Sequence, residues 1–392
     1  MAKDKKEKPV RLALSGLSWQ AVQEQINAKY GANTLVIASQ AIGLKTEYFS
    51  TGVVALDLGM GGGVPRGRIS NFQGPYSALK TTVLLKTMAN FLRGGKDRRA
   101  VFVDAEKSFD PAYAASVGLD IDRVGVVHPD YGEQAVDVMT DLLSMGTETL
   151  VGVDSLAALT PAAEIEDGFD QQHIGLHPRL VNKLIRVTTS CMKRSMLDQD
   201  APAITLVVLN QIREKTGVSY GSPETTPGGR GKDFAYSISV KLHSSPGRAL
   251  TEQVEQNSIK RKVRFGQLVE FTVLKNKCGS TQFEDGEFTY YVRSKGDHAA
   301  YSFDNEESLL RYGRFHGVLQ VKNGFFTSKV LPKMYKEAGL EAYLRANPSA
   351  YEAVYKATLA ASRLDNQLEY ADPTEKPVIE IVRPQIKLGK RK

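Results

Sequence analysis

Arg68–Leu85 reads RISNFQGPYSALKTTVLL and carries strand, loop and helix signals in that order. Ile69, Asn71 and Phe72 suit a short buried strand, Gly74–Pro75 punctuates it, and Lys80–Thr81–Thr82 opens an apolar-periodic helix. That order is the context a phosphate-binding loop requires. Gly74, Lys80 and Thr81 fit G-x-x-x-x-G-K-[ST] at every fixed position but one, because Leu79 stands where the second glycine belongs. The loop Gly74, Pro75, Tyr76, Ser77, Ala78 and Leu79 and the helix start Lys80, Thr81 and Thr82 would cradle an anion with backbone N–H groups and the helix dipole. Lys80 would reach the β- and γ-phosphates, and the Thr81 hydroxyl would complete a Mg²⁺ shell. A Cβ at position 79 adds about 1 kcal/mol or more if the backbone there is left-handed. The same letters also suit an incidental strand–turn–helix junction.

The remaining composition is that of a globular protein. Of 392 residues, 42% are hydrophobic and 24% charged, with room for one large core and a smaller domain or two. A net charge of +7 points to a polyanionic partner, nucleic acid before membrane. The two cysteines, Cys191 and Cys278, argue for a reducing compartment and against a thiolate metal site. Met1–Lys8 lacks the apolar stretch of a signal peptide, and no run of about 18 apolar residues predicts a membrane span. His173 and His177 are four apart, but Pro178 follows and no third ligand is placed, which argues against a metal there.

Outward from the loop, the rhythm is strand and helix in alternation. Ser18 caps a predicted helix that stops at Gly31. Arg99–Asp104 (RAVFVD), Val124–Val127, Leu150–Asp154 (LVGVD) and Ala203–Leu209 read as strands, with a helix over Gly132–Ser144. Continuous apolar runs suit strands buried on both faces, so the expected fold is α/β with a mainly parallel twisted sheet. SISVKLH, LVEFTVLKNK and EFTYYV then read as hairpin-like pairs that extend the sheet antiparallel. Carboxylates at the C-terminal ends of parallel strands lie on the ligand side of such a sheet. Asp154 is thereby a candidate to orient a metal-bound water beside Thr81, or simply a cap for the turn that follows.

Two polar stretches are long for connectors: Glu166–His177 and Arg213–Lys232. The second holds Arg213, Lys215, Arg230 and Lys232 with one aromatic, Tyr220. Cations and a ring suit single-stranded nucleic acid, and they equally suit a solvated loop.

GPYSALKTT, VDAEKSFDPAYA, LVGVDSLAALTPAAEIE, LNQIREKTGVSYGSPETTPGG and KNK, in that order and spacing, resemble the RecA-type DNA strand-exchange recombinases. The likeness runs from about Thr51 to about Phe288, with a weaker echo in GVLQVKNGFFTS and EAYLRANPSAYEAVYKATL. In lacking the second glycine, the loop is similar to that of some bacteriophage members. The resemblance implies a RecA-like P-loop ATPase core that uses ATP and Mg²⁺, hydrolyses ATP in a DNA-dependent way, and forms helical filaments on single-stranded DNA to pair it with homologous double-stranded DNA.

Roles follow by position. Lys80 and Thr81 would hold the triphosphate and Mg²⁺, with Asp154 behind the metal. Glu106 would polarise the attacking water as a general base. Asp110 and Tyr113 match positions facing the adenine, Tyr113 by stacking. Gln211 would sense the γ-phosphate. Lys275 and Lys277 would reach the neighbouring subunit's ATP, as an arginine finger does in trans; each can also be read as an exposed strand-end charge. Arg179, Arg186, Arg213, Gly228, Gly229 and Arg230 are the expected phosphate contacts, Ile174 and Thr216 the side chains entering between base triplets, and Tyr220 the ring in the second loop. Phe234 would transmit the nucleotide state across the subunit interface. Asp233 falls where the family has a lysine, with Lys232 one residue earlier as the available substitute.

The implied organisation is an N-terminal helical oligomerisation segment (1–45), the ATPase and DNA-binding core (46–300), a small C-terminal α+β domain for duplex DNA (301–372) and a basic tail (373–392). Lys322, Lys329, Lys333, Lys336 and Arg345 in the C-terminal domain suit duplex DNA or a solvated face. A single-strand-binding protein and loading factors are further implied partners, and the implied location is the cytoplasm of a bacterial cell or a phage-infected host. Leu79 supports a second reading, a non-hydrolysing accessory that binds DNA and co-assembles with another recombinase. A hexameric helicase on the same core has no use for the GSPETTPGG loop. Lys260, Arg261, Lys262 and Arg264 form a basic patch with no assigned role.

Overall fold

The computed structural model describes residues 12–32, 34–37, 46–142, 145–167, 175–197, 202–214, 224–278 and 284–363. Ile174, Thr216, Tyr220 and the tail 373–392 lie outside the described residues. Helix α1 (Trp19–Tyr30) starts where Ser18 accepts from the Ala21 N–H at 3.3 Å and stops at Gly31, as the sequence predicts. None of its residues is buried. Strands β1 (Tyr48–Phe49) and β2 (Val64–Pro65) pair around α2 (Val54–Met60), a helix buried along its whole length. Val53 offers no side-chain cap, and Asn305 supplies one from far along the chain: its Oδ1 accepts from the Val54 N–H at 3.0 Å.

The alternating part follows: β3 (Ile69–Gly74), α3 (Lys80–Arg93), β4 (Arg99–Asp104), α4 (Pro111–Ser116), β5 (Val124–Val127), α5 (Gly132–Leu142), β6 (Thr149–Asp154), α6 (Ala162–Glu166), α7 (Leu176–Leu197) and β7 (Ile204–Gln211). A short ladder of β8 (Arg213–Glu214) and β9 (Glu224–Thr225) closes the base of the second long loop, and α8 (Gly231–Ala235) leads into β10 (Ile238–His243). Then come β11 (Ala249–Gln256), β12 (Ile259–Asn276), β13 (Asp285–Tyr291) and β14 (Ser302–Phe303). The C-terminal lobe holds α9 (Asn305–Phe315), the hairpin β15 (Gln320–Lys322) and β16 (Phe325–Thr327), α10 (Glu337–Ala346) and α11 (Pro348–Ser362).

Six strands run parallel in the order β10–β3–β7–β6–β4–β5, and β12, β13 and β14 continue antiparallel beyond β10. Apolar side chains leave this sheet on both faces. Phe72, Leu84, Met88 and Leu209 belong to one buried cluster, and Ile69, Val151, Leu184 and Leu206 to the other. Helix α3 lies close over β6 because Gly152 has no Cβ; one would come 2.6 Å from the Met88 Cε. Leu309, Leu340 and Val354 of the C-terminal lobe share the first cluster with Val54 and Leu58 of α2.

The antiparallel extension is as the sequence predicts: β10 (SISVKLH) pairs antiparallel with the LVEFTVLKNK part of β12, and β12 with β13 (EFTYYV). On its other edge β10 lies parallel to β3 and so ends the parallel block. A further hairpin, β11–β12, is absent from the sequence reading, because its first strand, ALTEQVEQ, is too polar to read as a strand from its letters. Helix α11 begins with Pro348 in its first turn and no side-chain cap, since the Asn347 Nδ2 donates to the Tyr343 carbonyl at 2.8 Å.

Candidate functional site

Parallel register delivers the site. Gly74 of β3 lies opposite Gln211 of β7, and Asp104 of β4 opposite Asp154 of β6, so all four strands present their C-terminal ends on one edge. The phosphate-binding loop leaves that edge at Gly74, where a Cβ would sit 2.3 Å from the Leu242 carbonyl oxygen, so glycine is required there. Ser77 and Leu79 both take left-handed backbone, each at φ 62°. Leu79 keeps the turn that a glycine would make, with its side chain packed on the core cluster. Ala78 is buried beneath the loop, while Tyr76 is 94% exposed above it.

The Lys80 ammonium donates to the carbonyls of Gly74 (3.1 Å) and Pro75 (2.8 Å) across the loop. Burial lowers its pKa, and the Asp154 and Glu106 carboxylates oppose that shift. The Thr81 hydroxyl donates to Asp154 Oδ2 at 2.6 Å. Burial, the larger cause, raises the Asp154 carboxyl to about 6 against the Thr81 hydrogen bond. Hydroxyl and carboxyl oxygens are the donors a hard divalent cation takes, so this pair fits Mg²⁺. Glu106 stands just past β4, and its Oε1 accepts from the Ser155 hydroxyl at 2.5 Å and from Gln211 Nε2 at 2.9 Å. Lys80, Thr81, Asp154, Glu106 and Gln211 are thus brought together. Ser155 was missed by sequence reasoning, although its place directly after a strand-end aspartate was the available signal.

Asp110 caps α4, accepting from the Ala112 N–H at 2.8 Å and the Tyr113 N–H at 3.2 Å. The Tyr113 hydroxyl lies 2.7 Å from the Thr82 hydroxyl and 3.0 Å from that of Tyr290, tying α4 to the start of α3. Lys275 and Lys277 stand apart from this group. Both ammonium groups donate to the Phe234 carbonyl, at 3.3 and 2.9 Å, and Lys275 also to that of Asp233. Burial, then the neighbouring Lys277 charge, lowers Lys275 to about 8. The Phe234 side chain beside them is 77% exposed.

Arg179 and Arg186 lie seven residues apart on α7, both exposed, hence on one face of the helix. Arg213 is exposed at the base of the second loop. Gly228 is buried, and a Cβ there would come 2.9 Å from Val181, which leaves Gly229 and Arg230 as the exposed part of that segment. Lys232 does not substitute for a surface lysine. It is buried, donating to the Thr226 hydroxyl (2.9 Å) and the Gly229 carbonyl (2.8 Å) and pairing with Asp233 at 3.1 Å. His177 Nε2 meets the Leu156 carbonyl at 2.9 Å, and no metal-type cluster of histidine, cysteine and carboxylates occurs among the described residues. None of the described helices is long and apolar enough to cross a membrane.

A family model described as the RecA N-terminal domain matches residues 18–291. Protein RecA of Acidothermus cellulolyticus is 34% identical over 333 residues, covering 85% of this chain and 89% of that protein. Protein RecA of Synechococcus elongatus is 35% identical over 354 residues, covering 87% and 93%. Protein RecA of Mesomycoplasma hyopneumoniae is 39% identical over 245 residues, covering 62% and 70%. With a strand-end site of this composition and matches of this extent, the chain belongs to the RecA family.

Proposed function

We propose that ATP held by the loop Gly74–Leu79 and by Lys80, Thr81 and Thr82 acts as the bond between successive copies of this chain on single-stranded DNA. As a RecA-family protein the chain is a DNA-dependent ATPase that catalyses homologous pairing and strand exchange. Mg²⁺ would be held by Thr81 and Asp154, where it would neutralise charge on the phosphates. Glu106 takes a proton from the attacking water, and Ser155 and Gln211 hold its carboxylate in place. Asp110 and Tyr113 bound the adenine side.

The observation that carries this reading is the 2.9 Å bond from Gln211 to Glu106. It joins the strand that enters the second long loop directly to the acid beside the γ-phosphate position. Lys275, Lys277 and Phe234, set apart from the loop within one chain, would act on the nucleotide of an adjacent copy. Helix α1, with no buried residue and Trp19 70% exposed, suits packing on such a copy. A head-to-tail interface of this kind with a screw rotation builds an open filament. Arg179, Arg186, Arg213, Gly229 and Arg230 would follow the DNA backbone, together with Gly228, Ile174, Thr216 and Tyr220. The divisions at about residues 45, 300 and 372 belong to this proposal, as do a single-strand-binding protein and loading factors as partners.

The test is ATP hydrolysis by the purified chain with single-stranded DNA, with and without homologous duplex. Hydrolysis that rises with single-stranded DNA and is accompanied by strand exchange is expected. DNA binding without hydrolysis would favour the accessory reading, and duplex unwinding without pairing a helicase.

A further inference from the structure

The hairpin β11–β12 runs well past the sheet it belongs to. Strand β12 pairs with β13 only from Gly266 and with β10 only from Glu270, so over Ile259–Arg264 its ladder partner is β11 alone. The tip is a two-residue turn with Asn257 at φ 52° and Ser258 at φ 60°, the geometry that suits the twist of a hairpin. A two-stranded ribbon exposed on both sides gains little from burial and is marginal in water. Its extension is unexplained by the core.

Its two faces differ. Residues directly opposite share a face, and alternate residues along a strand share one too. Lys260 lies opposite Glu255, Lys262 opposite Gln253 and Arg264 opposite Thr251, so three cations, two neutral polar side chains and one acid line a single face. Only Lys260 is near an acid there, Glu255 at 3.7 Å. No salt bridge among the described residues involves Lys262 or Arg264. The opposite face carries Val254, Ile259, Arg261, Val263 and Phe265, whose ring stacks on Tyr291 beneath the Lys295 ammonium.

We infer that the Lys260–Lys262–Arg264 face of this ribbon docks double-stranded DNA. The chemistry recognised is the duplex phosphate backbone. A B-form major groove about 12 Å wide admits a two-stranded ribbon, and cations two residues apart recur about every 6.8 Å along it. Single-strand surfaces add aromatic rings for bases to stack on. This face has none, because Phe265 is turned away and already stacked, so charge and shape favour the duplex. The inference uses the strand-exchange reading only in preferring DNA to an acidic protein.

The experiment uses the full chain assembled on a single-stranded oligonucleotide with ATP and magnesium, and titrates a labelled duplex of unrelated sequence at several salt concentrations. The triple variant Lys260→Ala, Lys262→Ala, Arg264→Ala is expected to bind duplex roughly tenfold or more weakly, with the slope of log affinity against log salt shallower by about 3. Its assembly on the oligonucleotide should stay within about twofold of the parent. Glu255→Lys, which adds a cation to the same face, should strengthen duplex binding severalfold and steepen the slope. Unchanged duplex affinity and slope in both variants would overturn the inference in favour of an acidic protein as the occupant. An equal loss of oligonucleotide assembly would also overturn it, since the face would then serve the filament in general. Failure of the parent chain to assemble on the oligonucleotide removes the strand-exchange reading instead, and duplex titration of the unassembled chain still reports on the ribbon.

Discussion

Leu79 makes a left-handed turn with a branched side chain, at φ 62°, while packing that side chain on the core. Two effects of opposite sign meet there. Left-handed backbone costs a residue with a Cβ about 1 kcal/mol, and burying part of a leucine returns an amount of similar size. Leu79→Ala keeps the first and loses most of the second. Leu79→Gly loses the packing but sheds the strain, so it should exceed Leu79→Ala in stability by about 1 kcal/mol in urea unfolding. The reverse order would mean that the turn is unstrained. Just past β4, Glu106 accepts from Ser155 and Gln211. Glu106→Gln should slow DNA-stimulated turnover roughly 10²–10⁴-fold while filaments still assemble. Ser155→Ala removes one of the two groups that aim the carboxylate. It should lower kcat by about tenfold with KM for ATP little changed, and a change confined to KM would show that Ser155 serves binding instead. An acid just past RAVFVD is visible in the sequence, and so is a serine directly after Asp154. That the Ser155 hydroxyl and the Gln211 amide meet that acid is not, because partners on different strands leave no fixed spacing in the sequence.

Among elements, α2 shows how far from its own sequence a helix can be held. Asp57 lies fully inside, with the Thr51 N–H and hydroxyl each 2.7 Å from Oδ1, the Ser50 hydroxyl on Oδ2, and Tyr355 of α11 against the same carboxyl. Burial, the dominant cause, raises it to about 7 despite those hydrogen bonds. A carboxyl raised in the folded state keeps a proton that the unfolded chain has already released, so it removes stability as pH rises from about 4 to about 7. Asp57→Asn abolishes that titration. Its thermal stability relative to the parent should therefore climb between pH 4.5 and 7.5, by an amount on the order of 2–4 kcal/mol. A difference independent of pH would mean that Asp57 is ionised throughout. Asp304, also raised to about 7 by burial, leaves a slope of the same sign in both proteins. Most elements of the parallel block could be read from their continuous apolar runs, since both faces of the inner strands β3, β4, β6 and β7 are covered. Strand β11 could not, because ALTEQVEQ is held by a neighbouring strand and not by burial, and its alternation carries no apolar face. Likewise β10 reads like any alternating strand, and only its register against β3 places it in the parallel block.

At the scale of the whole molecule, the parts left without partners in one chain are those that face outward in the proposed filament. Trp19 on α1, Phe234 beside Lys275 and Lys277, and the exposed Arg179 and Arg186 on α7 have no core to join. If ATP joins copies and DNA lines them up, each ligand favours the same assembled state, and the coupling must be reciprocal. Single-stranded DNA should tighten ATP binding by the same factor as ATP tightens DNA binding. Lys275→Ala should reduce both factors together while leaving ATP affinity without DNA close to the parent value, because Lys275 bonds Asp233 and Phe234 and not the loop of its own chain. Titrating nucleotide at fixed DNA and DNA at fixed nucleotide yields the two factors independently. Unequal factors in the parent would mean that assembly and DNA binding draw on different states. A Lys275→Ala variant that loses ATP affinity even without DNA would place that lysine on its own nucleotide and end the case for action between copies.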